Sequence, residues 1–147
     1  MSYICGIDEA GRGPLAGPVT AAAVILGPGT SRELLLDSKL LTPKKREVAA
    51  AHIRDTALCF GLGWVDNREI DALNIHRATL LAMRRAYEAM LSSGGLESIP
   101  VSRVLVDGKY PPHLENAPET EAIIRGDLTI PEVSAASILA KTSRDDL

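Results

Sequence analysis

The chain has 147 residues, 46% apolar and 24% charged, which suits one globular domain with a real core. The formal net charge of −3 gives no bulk-basic signature of a nucleic-acid binder, so any phosphate-binding footprint has to be local. No apolar run approaches the ~20 residues of a membrane span, and the start lacks a basic-then-apolar leader. Cys5 and Cys59 lie in apolar strand-like segments and read as buried thiols of a reducing compartment. His52, His76 and His113 are too scattered for a zinc site. The expectation is a monomer in the cytoplasm with no membrane partner.

The apolar run 3–7 predicts a first strand that ends on two adjacent carboxylates, Asp8 and Glu9. The turn Gly11-Arg12-Gly13-Pro14 follows at once. Strand ends carry sites because the sheet holds them while the loop beyond meets solvent. Adjacent carboxylates repel, so a site that keeps both ionised needs a cation. Hard divalent cations such as magnesium take oxygen ligands, often one or two carboxylates plus water and substrate phosphate. The glycines leave room for a polymer backbone, and Arg12 offers a fork suited to a phosphate. The plainer alternative is a solvated strand end and an ordinary turn. The glycine spacing of residues 11–17 also imitates a dinucleotide-binding turn, which needs a helix starting inside it. Pro14 and Pro18 interrupt such a helix, and 19–26 has no polar face.

Segment 19–26 is a second strand without alternation, hence buried on both faces, and it ends at Gly27-Pro28-Gly29-Thr30. Thr42 and Pro43 open a helix as N-cap and first-turn proline, with Val48, Ala49, His52, Ile53 and Thr56 on its buried side. Lys44, Lys45 and Arg46 in its first turn oppose the helix dipole; they form either a solvated basic face or a phosphate-contacting one. Segment 58–65 is a third strand, weakened by Gly61 and Gly63 and broken by Asp66-Asn67, with a helical turn over 68–72. The clearest helix spans 75–91, where Leu80, Met83, Tyr87, Met90 and Leu91 recur at helical spacing as a core stripe. The run 101–106 ends at Asp107-Gly108-Lys109, and 110–118 is a proline-bearing loop. A fifth short strand, 121–124, ends at Arg125-Gly126-Asp127. A final helix starts at Pro131 or Ser134, with Ala135, Ala136, Ile138 and Leu139 buried and Lys141 and Arg144 polar. Three early strands at short range suggest an antiparallel set, and the later elements resemble crossover units of a parallel part. The expected fold is α/β: one domain over 1–147, with helices packed on the faces of a mixed five-stranded sheet.

If strands one, four and five are neighbours, Asp8, Glu9, Asp107 and Asp127 can meet. Four carboxylates without histidine or cysteine suit hard divalent cations. Two such ions ~3.5–4 Å apart can clamp the attacking and leaving oxygens of a phosphodiester. At this point the chain resembles type 2 ribonuclease H (ribonuclease HII). The resemblance is carried by 7–19, by Asp37-Ser38-Lys39 with Leu41, by Asn74-Ile75 with Ala78-Thr79, and by Val106-Asp107-Gly108. It continues through Gly126-Asp127 and through 134–141 with Arg144-Asp145.

This resemblance implies a ribonuclease H-like sheet. It implies an endonuclease that cleaves the RNA strand of RNA–DNA hybrids and incises 5′ of ribonucleotides embedded in DNA, with magnesium or manganese. It makes Asp8, Glu9, Asp107 and Asp127 the catalytic, metal-binding carboxylates. Gly11, Arg12 and Gly13 would read the 2′-hydroxyl, which distinguishes RNA from DNA at one nucleotide, and the adjoining phosphate. Lys39 and Lys141 are phosphate contacts or solvated surface. Asp145 and Asp146 compete with Asp127, although as a solvated helix end. The chain departs from the family at Lys39-Leu40, where two lysines are usual. It also ends at Leu147, before a helical segment carrying a tyrosine that stacks on deoxyribose; Tyr3, Tyr87 and Tyr110 do not fall there. The expectation is therefore a fragment or truncated product, slower and less stable than an extended version. Two alternatives stay open: a weakly active or non-catalytic nucleic-acid-binding remnant, and a magnesium-dependent phosphatase on small phosphoesters. The latter leaves the Gly11-Arg12-Gly13 turn unexplained.

Overall fold

In a computed structural model, which describes residues 3–11, 17–38, 42–93 and 101–145 without the side chains of 37 and 38, the unalternating apolar segment becomes a strand buried along its whole length. This is β2 (Val19–Ile25); it pairs antiparallel with β1 (Tyr3–Ala10) and with β3 (Cys59–Val65). On the other side of β1, β4 (Val101–Asp107) pairs with it in parallel, and β5 (Thr120–Ile123) pairs in parallel with β4. The sheet order is β3-β2-β1-β4-β5, so strands one, four and five are neighbours, the condition on which their acids could meet. The helices are α1 (Arg32–Ser38), α2 (Pro43–Thr56), α3 (Asn67–Leu73), α4 (Ile75–Ser92), α5 (Gly126–Thr129) and α6 (Pro131–Asp145).

The two-residue period of the strands sends alternate side chains to opposite faces. One face buries Cys5, Ile7, Ala21 and Ile25 against Met83, Tyr87 and Met90 of α4. The other buries Ala22 and Val24 against Ile53 of α2 and Ile138 and Leu139 of α6. Cys5 and Cys59 are both buried free thiols, as their apolar settings suggested. No helix of the described residues is long and apolar enough to cross a membrane.

Several local expectations change. Gly61 and Gly63 do not merely weaken β3. A Cβ on Gly61 would stand 2.2 Å from the Met90 backbone nitrogen, and one on Gly63 would stand 2.2 Å from the Ala82 oxygen. The missing side chains let the α4 backbone settle directly on the strand. The stripe of α4 is correspondingly filled by Ala78, Ala82 and Ala86 beside Met83, Tyr87 and Met90, while Leu91 faces solvent and Leu80 is half-buried. In α2, Thr42 caps the Lys45 N–H as expected, but Val48 is exposed and Ala50 takes a buried place. The turn expected at 68–72 is a full α3, because Asp66 and Glu69 form a reciprocal capping box. Helix α1 was not expected. Ser31 accepts the Leu34 N–H at 3.3 Å, and Leu35 is buried, giving only a short signal.

Candidate active site

The parallel pairing brings the acids together. Ile7 is in register with Val106, so the next residues, Asp8 of β1 and Asp107 at the end of β4, stand side by side. The carboxylate pair lies within β1 rather than beyond it, since the strand runs on to Ala10. Asp127 is not at a strand end. β5 stops at Ile123, Arg125 adopts a left-handed conformation with φ 57°, and Asp127 stands in the first turn of α5. That reversal folds α5 back over the end of β4, where the Asp127 N–H donates to Asp107 Oδ1 at 3.3 Å. One carboxylate oxygen from each of Asp8, Asp107 and Asp127 lies within 4.8 Å of the others.

Glu9 is outside this closest group among the described residues, as its neighbouring position on the strand requires. It is half-buried and shares with Asp107 the wall of an adjoining cavity. Asp8 is only 3% exposed and accepts the Glu9 N–H at 2.8 Å. Burial first, then the charges of Glu9 and Asp107, hold the Asp8 carboxyl well above its ordinary range. A cation would reverse both causes, since it replaces lost solvation and offsets like charge. An all-oxygen set of clustered carboxylates therefore fits a hard divalent ion such as Mg2+ or Mn2+.

The described residues on either side of the glycine turn, Gly11 and Gly17-Pro18, lie against Arg144. Gly11 has φ +96°, and a Cβ there would stand 2.4 Å from Arg144 Nε and 2.6 Å from the Pro18 oxygen. Arg144, near the end of α6, donates from Nε to that Pro18 oxygen at 3.1 Å. It also fills the space a Cβ on Gly17 would need, with Nη2 at 2.6 Å. The Gly17 N–H donates to Asn67 Oδ1 at 3.2 Å. Arg12 and Gly13 themselves, like Lys39, lie outside the described residues. Lys141 is half-buried on α6, three residues before Arg144 and so on the same side of that helix. Asp145 is exposed and takes no part in the acidic cluster; Asp146 lies outside the described residues.

Sequence reasoning gave Arg144 no role beyond a polar helix position and overlooked Asn67. Their contacts to Pro18 and Gly17 bridge 126 and 50 residues, so no local pattern signals them. The one available clue was that Arg144 belongs to a stretch carrying the resemblance.

The chain is similar to known proteins of one family. A family model described as Ribonuclease HII matches residues 5–147. A Ribonuclease HII of Nitrosospira multiformis is 51% identical over 97% of this chain and 67% of its own length. Another, of Treponema denticola, is 47% identical over 97% of this chain and 75% of its own length. The crystal structure of ribonuclease H2 from Pyrococcus horikoshii OT3 is similar with a TM-score of 0.74 at 26% identity, covering 98% of this chain and 72% of that one. The chain belongs to the ribonuclease HII family, metal-dependent endoribonucleases that cleave the RNA strand of RNA–DNA hybrids.

Proposed function

We propose that this chain cleaves the RNA strand of RNA–DNA hybrids and also incises DNA on the 5′ side of single embedded ribonucleotides. The observation that carries the reading is the convergence of Asp8, Asp107 and Asp127 within 4.8 Å. It is supported by the bond from Arg144 to the Pro18 oxygen, just after the glycine-bearing segment that follows the strand carrying Asp8. In this reading Asp8, Glu9, Asp107 and Asp127 hold Mg2+ or Mn2+, with Asp127 rather than Asp145 or Asp146 completing the set. When bound, two such ions neutralise and orient the oxygens that phosphorus gains and loses in an in-line displacement.

The chain's own residues supply the rest. The buried Asp8 is a fixed oxygen donor on a rigid strand. Its carboxyl has to give up a proton that its surroundings favour, so cation and proton compete there. The Gly11-Arg12-Gly13 turn reads the 2′-hydroxyl and the adjoining phosphate, and Lys39 and Lys141 contact further phosphates. The chain acts as a monomer in the cytoplasm, with the duplex as its partner. A phosphatase on small phosphoesters would use the same acids but leaves the Gly11-Arg12-Gly13 turn without a task.

The test is an assay of the purified chain in magnesium. One substrate is a duplex with a single embedded ribonucleotide, and the other is a small chromogenic phosphoester. The expected result is incision of the duplex and an inert phosphoester. The reverse pattern, or a folded chain that cleaves neither, would overturn the proposal.

A further inference from the structure

A cavity of about 300 Å³ adjoins the acidic cluster, with Glu9 and Asp107 in its wall. Leu80 and Met83 of α4 contribute apolar surface to it. Tyr110 also lines it, its ring edge-on to His76, with centroids 5.0 Å apart and planes at 84°. Of the described Phe, Tyr and Trp residues, Tyr110 alone is mostly exposed, at 61%. Its neighbour Lys109 lines the same space. The segment is tied down where it leaves β4, because the Gly108 N–H donates to the Ile123 oxygen at 3.0 Å. Nothing in the core or in the acidic cluster requires an exposed ring at this place.

These features suit one nucleotide better than any smaller phosphoester. A base or sugar ring needs apolar and aromatic surface, its phosphate needs a cation, and the two acids in the wall put the cavity beside the acidic cluster. We propose that the cavity is the subsite for the nucleotide adjoining the scissile phosphate. Its ring packs on Tyr110 above Leu80 and Met83, and Lys109 offsets its phosphate. The assignment rests on the nuclease reading above and names a substrate contact of that same site.

The test combines binding and cleavage. Binding of a labelled duplex with one embedded ribonucleotide is followed by fluorescence anisotropy without divalent metal, and cleavage is followed in magnesium. Base–aromatic stacking of ordinary strength sets the expected loss in Tyr110→Ala at roughly 5- to 150-fold, seen in affinity and in KM, with Tyr110→Phe restoring it. Duplexes made abasic on either side of the ribonucleotide identify the partner. Removal of one flanking base should weaken the parent and leave Tyr110→Ala unchanged. Equal affinity and KM in parent and Tyr110→Ala would overturn the inference, as would the same abasic penalty in both. A parent that binds without cleaving would sink the nuclease reading while the binding arm still decides the subsite. A parent that neither binds nor cleaves would sink both.

Discussion

Two halves of one sheet meet at β1 and are built on opposite physical terms. On one side, β2 is buried throughout, and α4 lies so close on β3 that Gly61 and Gly63 leave no room for a methyl group. On the other, β4 and the turn after β5 bring Asp107 and Asp127 to Asp8, gathering like charges that repel. Cys5 and Ile7 of β1 belong to the apolar core, and the next residue, Asp8, belongs to the acidic edge. The contrast teaches how such an edge is tolerated. Dense packing on one flank holds the strand that carries the charge, and the acidic flank gives up stability for chemistry.

The strongest way to break this division is Asp107→Asn. A neutral amide is a poor ligand for a hard cation, and metal assistance is worth several kcal/mol. Cleavage in magnesium should fall at least about 100-fold at 1.36 kcal/mol per decade, with the circular dichroism spectrum retained. Near-parental activity would remove Asp107 from the site.

Gly63→Ala attacks the other half. Overpacking costs about 1–3 kcal/mol, or roughly 2–12 °C in Tm for a chain of this size. The cleavage rate of the remaining folded protein should stay close to parental. A parallel loss of cleavage in protein that is still folded would show that the two halves are not separable.

Arg144→Ala sharpens the boundary between them, since Arg144 reaches from α6 to Pro18 and the glycine turn. A hydrogen bond from a charged donor contributes about 1.5–3 kcal/mol, so KM for the embedded-ribonucleotide duplex should rise about tenfold or more. Arg144→Lys should recover part of it. Unchanged KM would show that substrate recognition does not depend on this tie.

The acidic half should also reveal its cost through pH. The folded state holds the Asp8 carboxyl above its ordinary range, chiefly by burial. A raised value means that its contribution to stability is complete below the ordinary carboxylate range and is lost as pH rises through the raised value. In metal-free protein near pH 8, Asp8→Asn should therefore raise stability by about 0.5–2 kcal/mol. The gain should fade toward about pH 4, and Mn2+ should raise the Tm of the parent near pH 8. A fall in Tm for Asp8→Asn near pH 8 would contradict the repulsion argument.

The smallest effect concerns Glu69 on α3, remote from the acids in sequence. Its pair with Arg85 and the Asp66 cap pull its carboxyl from 4.5 down to about 2. A lowered value contributes stability above 4.5 that is lost as pH falls through about 2. Glu69→Gln should cost a little Tm at neutral pH, and the difference from parent should close across that window. A difference that persisted below it would show that the pair's charge is not its source.

Much of this was legible in the chain. The absence of alternation over 19–26 identified a strand buried on both faces, and acids ending two apolar runs identified Asp8 and Asp107. What escaped depended on distant backbone. The left-handed Arg125 that carries Asp127 into α5 leaves no periodic trace. Gly61 and Gly63 read as weak strand formers because strand propensity says nothing of a helix backbone 2.2 Å from an added Cβ. The alanines of α4 were passed over because helical stripes are recognised by large side chains. Helix α1 was too short to show a period.

The central claim is that Asp8, Asp107 and Asp127 together hold a hard divalent ion. Its most direct test is Mn2+ binding, followed by electron paramagnetic resonance on parent, Asp107→Asn, Asp127→Asn and Asp145→Asn, each verified as folded. Losing one carboxylate of the cluster should weaken Mn2+ binding at least about tenfold, or 1.4 kcal/mol, while Asp145→Asn should bind like the parent. Parental affinity in Asp127→Asn together with a loss in Asp145→Asn would contradict the assignment.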